Sequence, residues 1–595
     1  YYEGVRGWSP SVLASIASWN RFFPITENVR QVDWHGGFTA GAGSALYTAR
    51  TFPKHYWNRT AFVAEPTGHL VATFTLHQDG TDFRSHDAWN LVASDDEWTS
   101  RILAEVGPDG QVWMIDWYNF IVQHNPTPEG YRTGKGAAYE TPLRDKTHGR
   151  IYRVVAKDGK PSEPPKLSKD DPKGLIAALK SDNMFWRLHA QRLVVERGKT
   201  DVKDDLLTII EQDTSRDALG LSPAVVHALW AANGLGVLDG VEPSLAGVQK
   251  AAFTHPSASV RRNAALAFPP NVAARLILKH ELLKDPEKLV RLAALLALAD
   301  ADAGETPSGA VASAVFGGAV DKDRWLADAA SAAGAKNASS FLHSVAGRRS
   351  GRGPSPEALS VVSRVSEHYA RGGADVMLGE ILRRLPEGDA KVREAIVAGF
   401  AKGWPRDKAP ELDSDETKAI AALLPALAPD SRGQMLGLAS RWGVKGLEGH
   451  VAQLAKDLLA VAADSAKGET ARIDAAKQLI DLRRADAQAA RDLIALVTAK
   501  TPPEVASGLI AAVAQSDSPE VGTALVDAMG PMTPASRQAV ALALLGKTTW
   551  TGSLVGAIEA GKATLSLLTL SQSQALAAHP DNSIADRAKA LLARG

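Results

Sequence analysis

Two hydrophobic rhythms divide the chain. Up to about residue 158, apolar positions come in short, partly alternating runs at 45–49, 60–65, 70–76, 101–106, 111–115 and 150–155. Turn signals separate them, among them Pro66-Thr67-Gly68, Asp79-Gly80 and Pro108-Asp109-Gly110. Short runs bounded by Gly-centred turns predict β-strands. From about residue 171 the period lengthens. Leu289, Leu292, Ala293 and Leu296 fall at i, i+3, i+4 and i+7, one apolar helix face. Asp285 is the predicted N-cap there, with Pro286 in the first turn. The same layout returns at 181–187, 256–263 and 389–394. Val260 to Val290 spans 30 residues, and Val290 to Val392 spans 102, three times 34. A helix-pair period of that size predicts an α-solenoid of HEAT-like repeats. Further on, Ile473, Ala476 and Ile480 share a face, 503–516 reads as a helix, and a last helix covers 583–593.

The rhythms give three segments: a β part at 1–158, a Pro-rich linker at 159–170, and a solenoid at 171–595. Within the first, 10–19 reads as a short helix. Residues 36–43 read as a Gly-rich loop that lacks the Gly-Lys-Ser/Thr of a phosphate loop. Many short strands fit a sandwich, barrel or propeller. A propeller is favoured, with blades of roughly 40 to 50 residues. About 155 residues then hold roughly three blades, fewer than closure needs. A partial propeller, cut at its N-terminus, is the expectation. The stretch 106–155 is its centre: a tight Gly107-Pro108-Asp109-Gly110 turn, a strand, a long polar loop at 117–147, and a closing strand. Loops of that length in compact folds are usually functional or disordered.

Composition narrows the chemistry. Lys and Arg total 67 and Asp and Glu total 67, so net charge is zero and a nucleic-acid partner has little support. Cysteine is absent, which excludes disulfides, thiolate metal sites, thiol nucleophiles and covalent c-type haem in this chain. No apolar run approaches the roughly 18 residues of a membrane span. Residues 1–21 lack the order of a signal peptide. Eight of 14 Trp and seven of 15 His precede residue 156, which concentrates candidate chemistry in the β part.

Asp116, Tyr118, Asn119, Gln123 and His124 cluster where a strand ends and the long loop begins. They either line a ligand pocket, with His124 a general base, or hold the loop's backbone. Arg144, Asp145, His148 and Arg150 form a charged run. It is either a bidentate carboxylate site or an ion-paired strand entry. Asp95, Asp96 and Glu97 lack the spacing of a calcium loop and read as a solvated turn. His35, His55, His69, His77 and His86 show no metal-ligand spacing. Arg187, Arg261, Arg291 and Arg393 recur once per repeat and read as ladder residues between stacked helices.

The run Gly107-Pro108-Asp109-Gly110 through Asp116-Trp117-Tyr118-Asn119, then Gln123-His124-Asn125-Pro126, then Asp145-Lys146-Thr147-His148-Gly149-Arg150 resembles the propeller end of the PVC-type membrane-bound dehydrogenases. Residues 62–71 resemble the preceding blade. That resemblance implies a quinoprotein-like propeller followed by HEAT-like repeats, in the periplasm or cell envelope. It implies oxidation of a sugar or alcohol with pyrroloquinoline quinone (PQQ) and calcium. It also implies a downstream c-type cytochrome domain, in the same native polypeptide, that accepts the electrons. The other expectation is a non-catalytic platform that binds a glycan or protein partner, the partner docking on the solenoid.

Overall fold

The computed structural model describes residues 22–26, 38, 41–120, 147–161, 164–239, 245–305, 308–349, 353–373 and 377–593. Two compact units divide the chain, Tyr1–Asn337 and Ala338–Gly595.

The first unit opens with two small antiparallel sheets. Strands β1 (Ala42–Leu46), β2 (Thr60–Glu65), β3 (Leu70–Asp79) and β4 (Asp82–Ala93) pair in the order β1-β2-β3-β4. Strands β5 (Arg101–Val106), β6 (Val112–Asp116) and β7 (Arg150–Val154) form the second sheet, β5-β6-β7. Neither sheet closes on itself among the described residues. The expected strands are present within a few residues, but β4 is an addition. Its first half, Asp82 to Asp87, is polar and mostly exposed, so no apolar alternation announces it. The two-residue loop Gly80-Thr81 forms its hairpin, with Gly80 at φ +69° as such loops require.

Tyr47, Phe52, Tyr56, Phe62, Val71, Val112 and Met114 pack in one buried cluster shared by both sheets. Burying each such side chain contributes roughly 1.5–3 kcal/mol. The Tyr47 hydroxyl donates to the Gly110 carbonyl at 2.8 Å and accepts from the Phe52 N–H at 2.7 Å. Burial pushes its pKa up to about 12.

After residue 171 the described residues hold 25 α-helices. Within each unit most of them stack in two layers, a helix against the next but one. Met184–Arg197, Pro223–Gly234, Ala258–Ala267, Lys288–Asp300 and Arg324–Ala335 form one layer of the first unit. Pro356–Gly372, Ala390–Gly403, Pro429–Arg441, Glu469–Leu482, Pro503–Val513 and Pro534–Leu545 form the matching layer of the second. This is the helical solenoid that the long period predicts.

An arginine recurs at the fourth position of seven of these helices: Arg187, Arg261, Arg291, Arg393, Arg432, Arg472 and Arg537. Each guanidinium turns back onto carbonyls that precede its helix. Arg261 reaches the His255 carbonyl at 2.7 Å, Arg291 that of Asp285 at 2.6 Å, and Arg472 that of Ala462 at 2.9 Å. These carbonyls have no partner within their own turn, so a buried cation satisfies them. Arg261 also grips Asp285 of the following repeat at 2.7 and 2.9 Å. That contact corrects the expected cap: the helix begins at Lys288, Glu287 is its N-cap, and the Asp285 carboxylate serves Arg261 and the Glu287 N–H instead.

The sheets and the first helices are joined by specific polar contacts. Asn183, the N-cap of Met184–Arg197, donates to the Gly107 carbonyl at 2.8 Å, and Trp186 donates to that of Pro108 at 2.7 Å. Arg50 pairs with Asp217 at 2.8 Å. The β3–β4 loop presents the Thr81 N–H (2.9 Å) and hydroxyl (2.5 Å) to Asp323, the N-cap of Arg324–Ala335. A Cβ on Gly80 would stand 2.5 Å from an Asp323 oxygen, a second reason for glycine there. The Pro-rich segment at 159–170 thus joins two parts of one unit.

Candidate functional site

The buried face of β6 runs Val112, Met114, Asp116, apolar until its last residue. Register places Arg101 of β5 and Arg150 of β7 opposite Asp116, one on each side. Cross-strand partners share a face, so the row is cation, carboxylate, cation. Asp116 is 1% exposed. Its Oδ1 accepts the Ser100 and Tyr118 N–H groups, both at 2.8 Å. The Ser100 hydroxyl in turn donates to the Asn119 carbonyl at 2.8 Å. Asp116 therefore fixes the start of the long loop, where Tyr118 sits in the left-handed region at φ +51°.

Part of the row's capacity is unused. Asp116 Oδ2, Arg101 Nε and Arg150 Nη1 are buried and have no hydrogen-bond partner among the described residues. Arg101 is 5% exposed and spends Nη1 on the His69 carbonyl at 2.8 Å. Burial lowers its pKa, while Asp116 acts in the opposite sense. The Arg150 guanidinium lies over the Tyr118 ring, Cζ to centroid 3.1 Å, and Trp98 stacks with that ring at 6.0 Å. Arg101 lies 5.7 Å from the centroid of Tyr152. A buried polar atom without a partner costs about 1–3 kcal/mol. An occupant matched to this row would offer acceptors to the arginines and a donor to Asp116. With two cations and one carboxylate the row is net positive, so a carboxylate-bearing molecule with a hydroxyl or N–H group matches it.

The structure brings Asp116, Tyr118, Asn119 and Arg150 of the sequence candidates together. His148 is exposed and has its Nδ1 3.1 Å from the Thr147 hydroxyl. Gln123, His124, Arg144 and Asp145 lie outside the described residues. Arg101, Trp98 and His69 were not anticipated. His69 is fully buried at φ +58°, with Nδ1 2.6 Å from the Thr99 carbonyl. Counting back through the 107–110 turn would set Ile102 against Asp116; a bulge between Arg101 and Leu103 puts Arg101 there instead. Asp96 accepts the Trp98 N–H at 3.1 Å, forming a local turn. Among the described residues no group of three or more His, Cys, Asp and Glu side chains could hold a metal.

A family described as "Domain of unknown function (DUF7133)" matches residues 9–158. No curated protein matches the chain. Solved structures with similarity include a Kap121p mutant, at 13% identity and TM-score 0.37. The karyopherin Kap121p bound to the SUMO protease Ulp1p and Kap121p bound to Nup53p each give 13% identity and TM-score 0.33. In all three the match covers 71% of this chain and 48% of the other, so the chain spans about half the length of the structures it matches.

Proposed function

We propose that the β part is a ligand-binding head that takes a carboxylate-bearing small molecule at Arg101, Asp116 and Arg150, and that the solenoid is a scaffold for a protein partner. The three unpartnered buried atoms carry this reading. In the same reading the two sheets are neighbouring blades of a propeller. The outward face of the second sheet, with Trp113, Ile115, Trp117 and Ile151 exposed, is where a further sheet would pack.

The dehydrogenase reading is the second, and the run from Gly107 to Arg150 favours it. PQQ is a carboxylate-bearing quinone, and Arg101 and Arg150 would hold its carboxylates. When bound, it accepts two electrons from an alcohol. The described residues supply no calcium ligand set beside it. Electrons would pass to a c-type cytochrome domain outside this chain, in the cell envelope.

Calorimetric titration with PQQ and with plain polycarboxylates tests the head. Asp116→Asn keeps an oxygen for the Ser100 and Tyr118 N–H groups, and Arg150→Gln removes one guanidinium. Arg150→Gln should weaken binding roughly tenfold or more, the worth of a charge-assisted bidentate contact. Absence of binding to any carboxylate would sink the proposal. Dye-linked oxidation of sugars or alcohols with added PQQ and calcium separates the second reading from the first.

A further inference from the structure

The second unit holds a groove of about 810 Å³ between the helices Pro429–Arg441 and Glu469–Leu482, closed by the segments around Arg406 and Asp517. Its charges are unevenly matched. Arg483 pairs with Asp486 at 2.8 Å, and Arg484 with Asp481 at 3.2 Å and Asp517 at 3.9 Å. That uses all three acids of the lining. Arg406 and Arg441 remain. Arg406 has no acceptor among the described residues, and Arg441 has only the Gly437 carbonyl, at 3.3 Å. Burial lowers the pKa of Arg441 and the Arg406 charge lowers it further, while the Asp481 charge acts in the opposite sense. Four arginines face three carboxylates in the lining, so it is net positive and favours an anionic ligand.

The floor adds shape. Gly433 and Gly437, one turn apart on the same helix, carry no side chain into the groove. A Cβ on Gly437 would meet nothing within 4 Å. Extended backbone can therefore approach the helix closely. Beside them Gln478 Oε1 is buried with no donor among the described residues, and its Nε2 reaches Asp430 at 3.5 Å. An orphaned acceptor beside an open floor calls for an N–H donor, which every peptide unit supplies.

We propose that this groove docks an extended acidic segment of a partner protein. Carboxylates meet Arg406 and Arg441, the backbone crosses Gly433 and Gly437, and a peptide N–H satisfies Gln478. The uncharged floor sets the path, and Arg406 and Arg441 set the charge of the occupant.

Fluorescence anisotropy of the full chain with a labelled Asp/Glu-rich peptide tests it, alongside the Asn/Gln version of the same peptide. Gly437→Leu fills the groove at a position with room for the side chain, and Arg441→Glu reverses one charge. Each should weaken the acidic peptide roughly tenfold or more and leave the circular dichroism spectrum unchanged. The Asn/Gln peptide should bind far more weakly. No binding of the acidic peptide, equal binding of its Asn/Gln version, or indifference to both substitutions overturns the proposal. An oligonucleotide or tripolyphosphate that takes the peptide's place with the same dependence on Arg441 also overturns it. The ligand site in the first unit is untouched by these variants, so the two readings fail separately.

Discussion

At the scale of single residues, buried charge is used in two ways. The helix arginines reach back to carbonyls that precede their helices and so fix spacing between repeats, although Arg187, Arg291 and Arg393 each keep a buried Nε without a partner among the described residues. Burial and the nearby Arg50 lower the pKa of Arg187 to about 10, which still leaves it charged near neutral pH. Arg101 and Arg150 also keep buried atoms unused, and theirs flank the buried Asp116 carboxylate in one row. His227 responds to the first arrangement. It is buried between repeats, with Nδ1 donating to Gln191 Oε1 at 2.7 Å. Burial, and then the charge of Arg187, lower its pKa to about 4. An unfolded histidine titrates near 6.5, so the unfolded chain takes up the proton first as pH falls. Stability should therefore drop by up to roughly 3 kcal/mol as pH falls from about 6.5 to about 4. In urea unfolding, His227→Gln should be less stable than the parent at about pH 7.5, and the gap should shrink at about pH 4.5. A gap independent of pH would mean that the ring titrates alike in the folded and the unfolded chain.

At the scale of elements, turns decide what the strands and helices do. The 107–110 turn is legible in the sequence because Pro fixes φ and Gly110 takes φ +74°. Strands β2 and β5 were legible to the residue, because apolar runs and turns agree there. The same sequence hid β4, whose stability comes from pairing with β3 and not from an apolar face. It hid Arg101 as a site residue, since a one-residue bulge reverses which side chains face inward. It misassigned Asp285, because an N-cap and an inter-repeat ion pair ask for the same residue type. The turn's role in docking could not be read either. Asn183 illustrates it: Oδ1 caps its helix by accepting the Phe185 N–H at 3.0 Å, while Nδ2 donates to Gly107. Aspartate is as good an N-cap as asparagine. Asn183→Asp would keep the cap but set a buried carboxylate against two carbonyl oxygens. It should cost about 2–3 kcal/mol in denaturant unfolding, where a role in capping alone gives nearly zero.

At the scale of the whole molecule, the change of rhythm near residue 160 marks a change of secondary structure and not the edge of a folding unit. The first compact unit continues to Asn337. Four polar anchors explain why: Gly107 and Pro108 on Asn183 and Trp186, Arg50 on Asp217, Thr81 on Asp323, and Asp82 on Trp325 at 3.1 Å. The Asp323 carboxyl is buried, which raises its pKa. Hydrogen bonds from Thr81 and Leu326 outweigh that and hold it below its usual value, so this anchor is strongest above the carboxylate range. The two open sheets share one small core and leave Trp113, Ile115 and Ile151 exposed. A fragment covering 1–161 should therefore lack a cooperative thermal transition and be degraded quickly by protease. A fragment covering 1–337 should melt in one transition and resist cleavage inside the sheets. If 1–161 melts cooperatively at the same temperature as 1–337, the helices are not needed to hold the sheets. The Arg101–Asp116–Arg150 row would then be complete without them, and the head could be studied alone.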